Sequence, residues 1–404
     1  MNPCRLPLTV RAVEPACRAL LTPLAGTSSS TVTVTSAARL PSQDLAVGSQ
    51  RRTIHQHARP MSAAAARQLP KQPVVLPGRT LIQKRAHSSR AMIHTPPPAP
   101  EQPLIHSLFE PVTSTFQYVV ADPATNKAVI IDPVLDYDNV ARTIKTHSAD
   151  NILELIKKNG YEIVKILETH AHADHLTSAF YLQKKLEKMQ GYKPGVGIGK
   201  RIGQVQRVFG ERYGVSTDEY DGVFDTLFDD DEVFEIGSLR ASAIHLPGHT
   251  PDHMGYRVGD SSGLADNIFC GDSLFHPQTL GTARCDFPGG SAEQLYYSGR
   301  MLLSLPDHVR IWVGHDYAED GRQPEPWATV AEHRLYNRHL RDGITEKEFV
   351  QMRKERDRQL AAPRLLHESL QVNIRGGHLP KVNAAGMRTF AVPVQVQGEA
   401  ASVL

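Results

Sequence analysis

Glu168-Thr169-His170-Ala171-His172-Ala173-Asp174-His175 is the stretch that decides how this chain is read. Three histidines and an aspartate fall within six positions, in the pattern H-x-H-x-D-H. The run before it, from Glu162, carries Ile163, Val164, Ile166 and Leu167 and reads as a β-strand. The run from Leu176 onward reads as a helix. The four side chains therefore sit on a turn at the carboxyl end of a strand, where open α/β sheets place their ligand sites. A plain solvated loop has no need of four potential metal ligands at this spacing. Neutral imidazoles and a carboxylate suit zinc or iron and can leave coordination positions open for chemistry.

Matching residues follow downstream. Leu239 to Leu246 alternates like a strand, Pro247-Gly248 turns the chain, and His249 is presented at the turn. Of its neighbours, His245 falls in the strand alternation and reads as packing, while His253 is placed to orient ligands. Asn267-Ile-Phe-Cys-Gly-Asp272 is a short apolar strand ending in Gly-Asp, and a carboxylate there is costly unless it is paired or bound to a cation. Arg310-Ile-Trp-Val-Gly-His-Asp-Tyr317 repeats the device with His315. Strand, glycine, then His or Asp suggests one metal cavity fed by several strand ends.

Taken in order, H-x-H-x-D-H, P-G-H-T, G-D and G-H-D-Y resemble the metallo-β-lactamase superfamily, from about Phe116 to about Leu340. Within it the chain most resembles the persulfide dioxygenase branch, a relative of the glyoxalase II hydrolases. The stretches that carry this are Thr169–Ser178, Pro247-Gly-His-Thr250, Gly271-Asp272-Ser-Leu, Ala283-Arg-Cys-Asp-Phe287 and Gly314-His-Asp-Tyr317. The resemblance implies a four-layer αββα sandwich. It also implies one Fe(II) per chain on a facial triad of His170, His249 and Asp272. Dioxygen and glutathione persulfide would be the substrates, and sulfite and glutathione the products, in sulfide detoxification. His172, Asp174, His175 and His315 would then orient and tune the ligands. The alternative it leaves open is a glutathione-thioester hydrolase with two zinc or iron ions. There His170, His172 and His249 would hold one metal, Asp174, His175 and His315 the other, and Asp272 would bridge. By the same resemblance Arg284 borders the substrate pocket, where a guanidinium can grip a carboxylate in a two-pronged way. An ion pair to Asp286 is the plainer role. Tyr317 lies two positions beyond His315, so its hydroxyl is either at the open metal face or in the core. Cys285 reads as packing.

The first hundred residues are a different material. Up to Pro100 there are 13 Lys+Arg and two acids, amid serine, threonine, alanine and proline. Such a stretch cannot bury enough apolar surface to fold alone. Arginine-rich, serine-rich and acid-poor, it reads as a mitochondrial transit peptide with a disordered linker over 1–100, which places the enzyme in the matrix. Its arginines are scattered rather than clustered with aromatics, which argues against nucleic acid. Residues 101–404 keep 32 basic against 41 acidic residues, a net charge of −9, which argues the same way. No apolar run reaches membrane-spanning length. Four cysteines, two of them in the leader, make no disulfide framework.

The body reads as one catalytic domain over 101–345 with a helix and extended tail over 346–404. Thr113–Ala121 and Lys127–Asp132 read as a hairpin, and Asn139 to Lys158 carries helical spacing through Val140, Ile144, Ile152, Leu155 and Ile156. Ser261–Asp266 reads as a surface insertion. In the tail, Phe349, Met352 and Leu360 are expected on one helical face, and Ala362 to Ile374 is expected to run extended. Such a tail serves as a strap across the domain or as a subunit contact, which leaves a homodimer open.

Overall fold

A computed structural model describes residues 93–94, 102–260, 266–319, 321–396, 398 and 400–403. The leader, apart from Ile93–His94, and the insertion at 261–265 lie outside the described residues.

Strands β1 (Ile93–His94), β2 (Leu104–Glu110), β3 (Thr115–Ala121) and β4 (Lys127–Ile131) form an antiparallel run. β5 (Val134–Asp138) and β6 (Thr143–Lys145) make a short hairpin before helix α1 (His147–Asn159). Next come β7 (Glu162–Leu167), β8 (Leu176–Thr177), α2 (Ala179–Gln190), β9 (Gly195–Gly199), α3 (Ile202–Tyr213) and β10 (Thr226–Phe228). Then follow β11 (Val233–Ile236), β12 (Leu239–His245), β13 (Met254–Val258), β14 (Asn267–Phe269), α4 (Ala292–Leu302), β15 (Arg310–Trp312), β16 (Trp327–Thr329) and α5 (Val330–Tyr336). The chain closes with α6 (Glu346–Asp357), α7 (Leu366–Asn373) and α8 (Ala400–Val403).

The strands build a seven-stranded sheet, β1-β2-β3-β4-β7-β9-β10, and a six-stranded sheet, β11 through β16 in sequence order. A small three-stranded sheet, β6-β5-β8, sits beside them. The period of two along each strand sorts the side chains into two cores. On β3, Phe116, Tyr118 and Val120 pack with Phe234, Tyr256, Phe269 and Trp312 of the six-stranded sheet. Val119 and Ala121, from the opposite face, pack with Ile152 of α1, Leu182 of α2 and Phe209 of α3. β4 divides in the same way, Val129 and Ile131 inward, Ala128 and Ile130 outward. Leu295 and Leu302 of α4 and Phe349 of α6 pack on the six-stranded side. The result is the four-layer αββα sandwich.

Four expectations need correction. The helical spacing from Asn139 is a helix only from His147. Asp138 accepts hydrogen bonds from the backbone N–H groups of Val140 (3.0 Å) and Ala141 (2.9 Å), and this side-chain turn folds the segment into the β5–β6 hairpin instead. Val140 is accordingly exposed. The helix after the histidine loop starts at Ala179, because Leu176–Thr177 pairs with β5 first. The tail from Ala362 is not extended throughout: Leu366–Asn373 is helical, with Leu370 and Val372 buried. Leu360 lies past the end of α6 and is exposed, whereas Phe349 is fully buried on it.

Candidate metal centre

The H-x-H-x-D-H loop leaves the carboxyl end of β7, His249 follows β12, Asp272 follows β14 and His315 follows β15. Strand ends of both large sheets thus meet at one place. Two of the intervening glycines are there because nothing larger fits. Gly248 has φ +138°, and a Cβ on it would lie 2.3 Å from the backbone nitrogen of Leu295. A Cβ on Gly314 would lie 2.5 Å from the Asp272 carboxylate.

His170, His249 and Asp272 converge, their ligand atoms all within 4.8 Å of one another. Nε2 of His249 is 3.5 Å and Nε2 of His170 is 3.9 Å from Asp272 Oδ2. A second group shares the same carboxylate: His315 Nε2 is 3.3 Å from Asp174 Oδ2 and 3.5 Å from Asp272 Oδ1. His172 uses its two nitrogens differently. Nε2 lies 3.1 Å from Asp132 Oδ1 and 3.4 Å from Glu168 Oε2, while Nδ1 is buried without a hydrogen-bond partner among the described residues, and the side chain forms a further three-donor group with Asp174 and His175. His175 is buried beside it, ring centroids 4.2 Å apart.

Hydrogen bonds to the outer nitrogens set which tautomer each imidazole adopts. The Thr169 hydroxyl donates to Asp132 (2.8 Å), so toward His170 Nδ1, 3.0 Å away, it can only accept. His170 therefore carries its proton on Nδ1 and leaves Nε2 free to face Asp272. His249 Nδ1 donates to the Arg284 carbonyl (2.7 Å), and His315 Nδ1 to that of Ser114 (2.9 Å), with the same outcome. His253 Nε2 accepts the Asp272 backbone N–H (3.0 Å) and so steadies that residue. Burial, then the neighbouring histidines, holds His170 well below the ordinary imidazole range, and burial brings His175 to about 4. Burial also opposes protonation of His172, but Asp132 and Glu168 outweigh it and raise its pKa well above the usual value. For Asp272 burial wins over His315 and His249, and its pKa rises.

The donor set fits a cation. His170 Nε2 and Asp272 Oδ1 are buried and lack a hydrogen-bond partner, as do Asp174 Oδ2 and His175 Nε2. Buried polar atoms are almost always satisfied, and these orphans belong to neighbouring three-donor groups, His170–His249–Asp272, Asp174–Asp272–His315 and His172–Asp174–His175, each able to hold a cation.

Several supporting residues escape a reading by sequence. Asp132 and Thr169 set His170, and Asp252 accepts the Ala171 N–H (2.9 Å). Asn373, at the end of α7, donates to the carbonyls of His172 and His175 (both 2.8 Å) and accepts from the Thr177 N–H (2.8 Å). Nothing but a polar residue between the apolar Val372 and Ile374 hints at this. The tail is therefore a strap that fastens the ligand loop.

A cavity of about 310 Å³ opens over Asp174, His249, Asp272 and His315, with Tyr317 and Arg284 in its wall. Tyr317 stacks on His315, ring centroids 5.4 Å apart. Arg284 borders the cavity, yet it is also paired: Nη2 is 2.6 Å from Asp286, and Nη1 donates to the Ala361 carbonyl (2.7 Å). Cys285 is buried. The far wall comes from the C-terminal segment, through Arg353, Arg356, Leu360 and Arg364.

A profile of the metallo-beta-lactamase superfamily matches residues 111–315. The chain belongs to the metallo-β-lactamase superfamily. Among curated superfamily members it is 43% identical over 295 residues to a beta-lactamase hydrolase-like protein of Agrobacterium fabrum. The match takes in 73% of this chain but spans only 65% of that relative's length. It is 43% identical to glyoxylase B2 of Dictyostelium discoideum, over 70% of this chain and 94% of that one. With the human mitochondrial persulfide dioxygenase ETHE1 it shares 28% identity, over 68% and 89% of the two chains. The crystal structure of ETHE1 from Myxococcus xanthus superposes with a TM-score of 0.52 at 27% identity, covering 68% of this chain and all of that one. The donor groups described above fit a metal-binding site of that fold. No helix among the described residues is long and apolar enough to cross a membrane.

Proposed function

We propose that this enzyme is a persulfide dioxygenase with one Fe(II), held by His170, His249 and Asp272. One observation carries the reading: His170, His249 and Asp272 bring their ligand atoms within 4.8 Å of one another. Two histidines and one carboxylate form a facial triad, the donor set of non-haem Fe(II) oxygenases. The resemblance to ETHE1 persulfide dioxygenases supports the same reading. When bound, Fe(II) supplies the redox chemistry that couples dioxygen to a sulfur donor. Glutathione persulfide, O₂ and water give glutathione, sulfite and protons.

The chain's own residues hold and orient. Thr169 and the Arg284 carbonyl hold the two triad imidazoles with Nε2 inward. The cavity wall is apolar at Phe275 and Leu280, which gives the sulfur end of the substrate a surface to pack on. Tyr317, stacked on His315, presents its phenol to the same space. Its pKa is raised by burial, so it remains a neutral hydrogen-bond donor.

A second reading has its own support. Asp174, Asp272 and His315 form another three-donor group, and glyoxylase B2 is a relative at 43% identity. In that reading two metals serve hydrolysis of a glutathione thioester. Metal analysis and turnover on anaerobically purified protein separate the two. One iron per chain with O₂ consumption on glutathione persulfide is the expected result. Two zinc or mixed ions with thioester hydrolysis and no O₂ uptake would overturn it.

A further inference from the structure

The C-terminal segment brings three arginines to the cavity: Arg353 and Arg356 on α6, and Arg364 beyond it. Arg284 reaches in from the opposite side. These four are not equivalent. Arg353 is buried and committed to Asp357 (2.7 Å) and to the Thr282 carbonyl (3.2 Å). Arg284 is committed to Asp286 and the Ala361 carbonyl. Among the described residues Arg356 has no such commitment. Its Nε is buried with no hydrogen-bond partner there, although Arg356 borders a cavity large enough for a ligand. Burial, then the adjacent charges of Arg353 and Arg338, disfavours its cation, and Asp357 only partly compensates. A partly buried guanidinium crowded by other guanidinium groups, with a buried Nε that no described residue accepts from, is a place where an anion would be bound. The anion is not supplied by the cavity's own carboxylates, because Asp174 and Asp272 face His315 in the metal cluster.

We infer that Arg356 is the carboxylate receptor of the substrate cavity, with Arg364 at its mouth, and that it grips the remote carboxylate of the substrate while the sulfur end lies at the metal cluster. A guanidinium meets a carboxylate two-pronged, which fixes the direction in which an elongated substrate enters. The C-terminal segment, not the Arg284 loop, thereby sets the requirement for an acidic thiol carrier. This rests on the persulfide reading only for the identity of that carrier.

Binding of S-methylglutathione and of its diethyl ester to the iron-loaded, anaerobic enzyme tests the assignment by calorimetry, without turnover. Arg356→Gln is expected to weaken S-methylglutathione roughly tenfold or more, the loss of one charge-assisted contact. It should leave the weaker binding of the diester unchanged. Arg356→Lys should fall between, and Arg358→Gln, on the same helix end but outside this cavity, should match the parent. With glutathione persulfide the Arg356→Gln change should appear in KM, with kcat within about twofold. Equal affinity of parent and Arg356→Gln for S-methylglutathione overturns the proposal, as does an equal loss for acid and diester. If Arg356→Gln does not fold, the same comparison on Arg356→Lys decides. A parent enzyme that binds S-methylglutathione but consumes no O₂ with glutathione persulfide sinks the dioxygenase reading and leaves Arg356 standing.

Discussion

At the scale of single residues, the direction in which each histidine points determines what its loss should do. His170→Ala, His249→Ala and Asp272→Ala each delete one of three converging donors, and each should abolish stoichiometric iron binding. His172→Ala should retain iron, with lowered activity, because the imidazole lies outside that triad and its Nε2 serves Asp132 and Glu168. Metal content after anaerobic desalting reads this directly; complete loss in His172→Ala would return that residue to the ligand set. Asn373→Ala removes three hydrogen bonds from the ligand loop without touching a donor. Loss of an outer partner of this kind typically costs about 10–100-fold in metal affinity. A competition titration against a chelator should place Asn373→Ala in that range, and an unchanged affinity would make the strap purely structural. The donors themselves were legible in the sequence, because four potential ligands in six positions, and a His or Asp after each later strand-glycine turn, have no cheaper explanation. Asp132, Asp252 and Asn373 were not, since each acts across the fold on a backbone group far away in the chain.

Among elements, the strands were the easier part to read. β3 and β4 are runs of β-branched and aromatic residues around a turn, and their two faces separate cleanly into two cores. The hairpin β5–β6 was hidden because Val140 and Ile144 happen to continue the helical spacing of α1, while Asp138 alone closes the turn. α7 was hidden because its buried face is half polar: Ser369, Gln371 and Asn373 are as buried as Leu370 and Val372. Helix α6 shows how the tail is fixed. Arg353, 1% exposed, pairs with Asp357 one turn on, and Asp357 also accepts the Cys285 backbone N–H (2.9 Å). Breaking one side of a buried pair strands the other charge, so Arg353→Met should destabilise the enzyme by about 3–5 kcal/mol. Adding Asp357→Leu should recover part of that, since both charges then leave together. Urea unfolding midpoints of the single and double variants measure it; a double variant worse than both singles summed would show that the Cys285 contact dominates.

For the whole molecule, the placement of the donors has a consequence for folding. His170 comes from a loop of the seven-stranded sheet, while His249 and Asp272 come from the six-stranded one. A cation bound among them is a crosslink between the two halves of the sandwich, and one that the unfolded chain cannot offer. Occupancy and unfolding are then thermodynamically linked: free metal at about a hundred times its dissociation constant adds about 2.7 kcal/mol to stability. Calorimetric scans should show the melting temperature falling on chelation and climbing with the logarithm of free metal, a dependence that Asp272→Ala abolishes. A melting temperature indifferent to metal would mean that the halves hold together unaided. If the dependence holds, apoprotein is the form that opens first, and metal supply becomes a determinant of how long each molecule survives proteolysis.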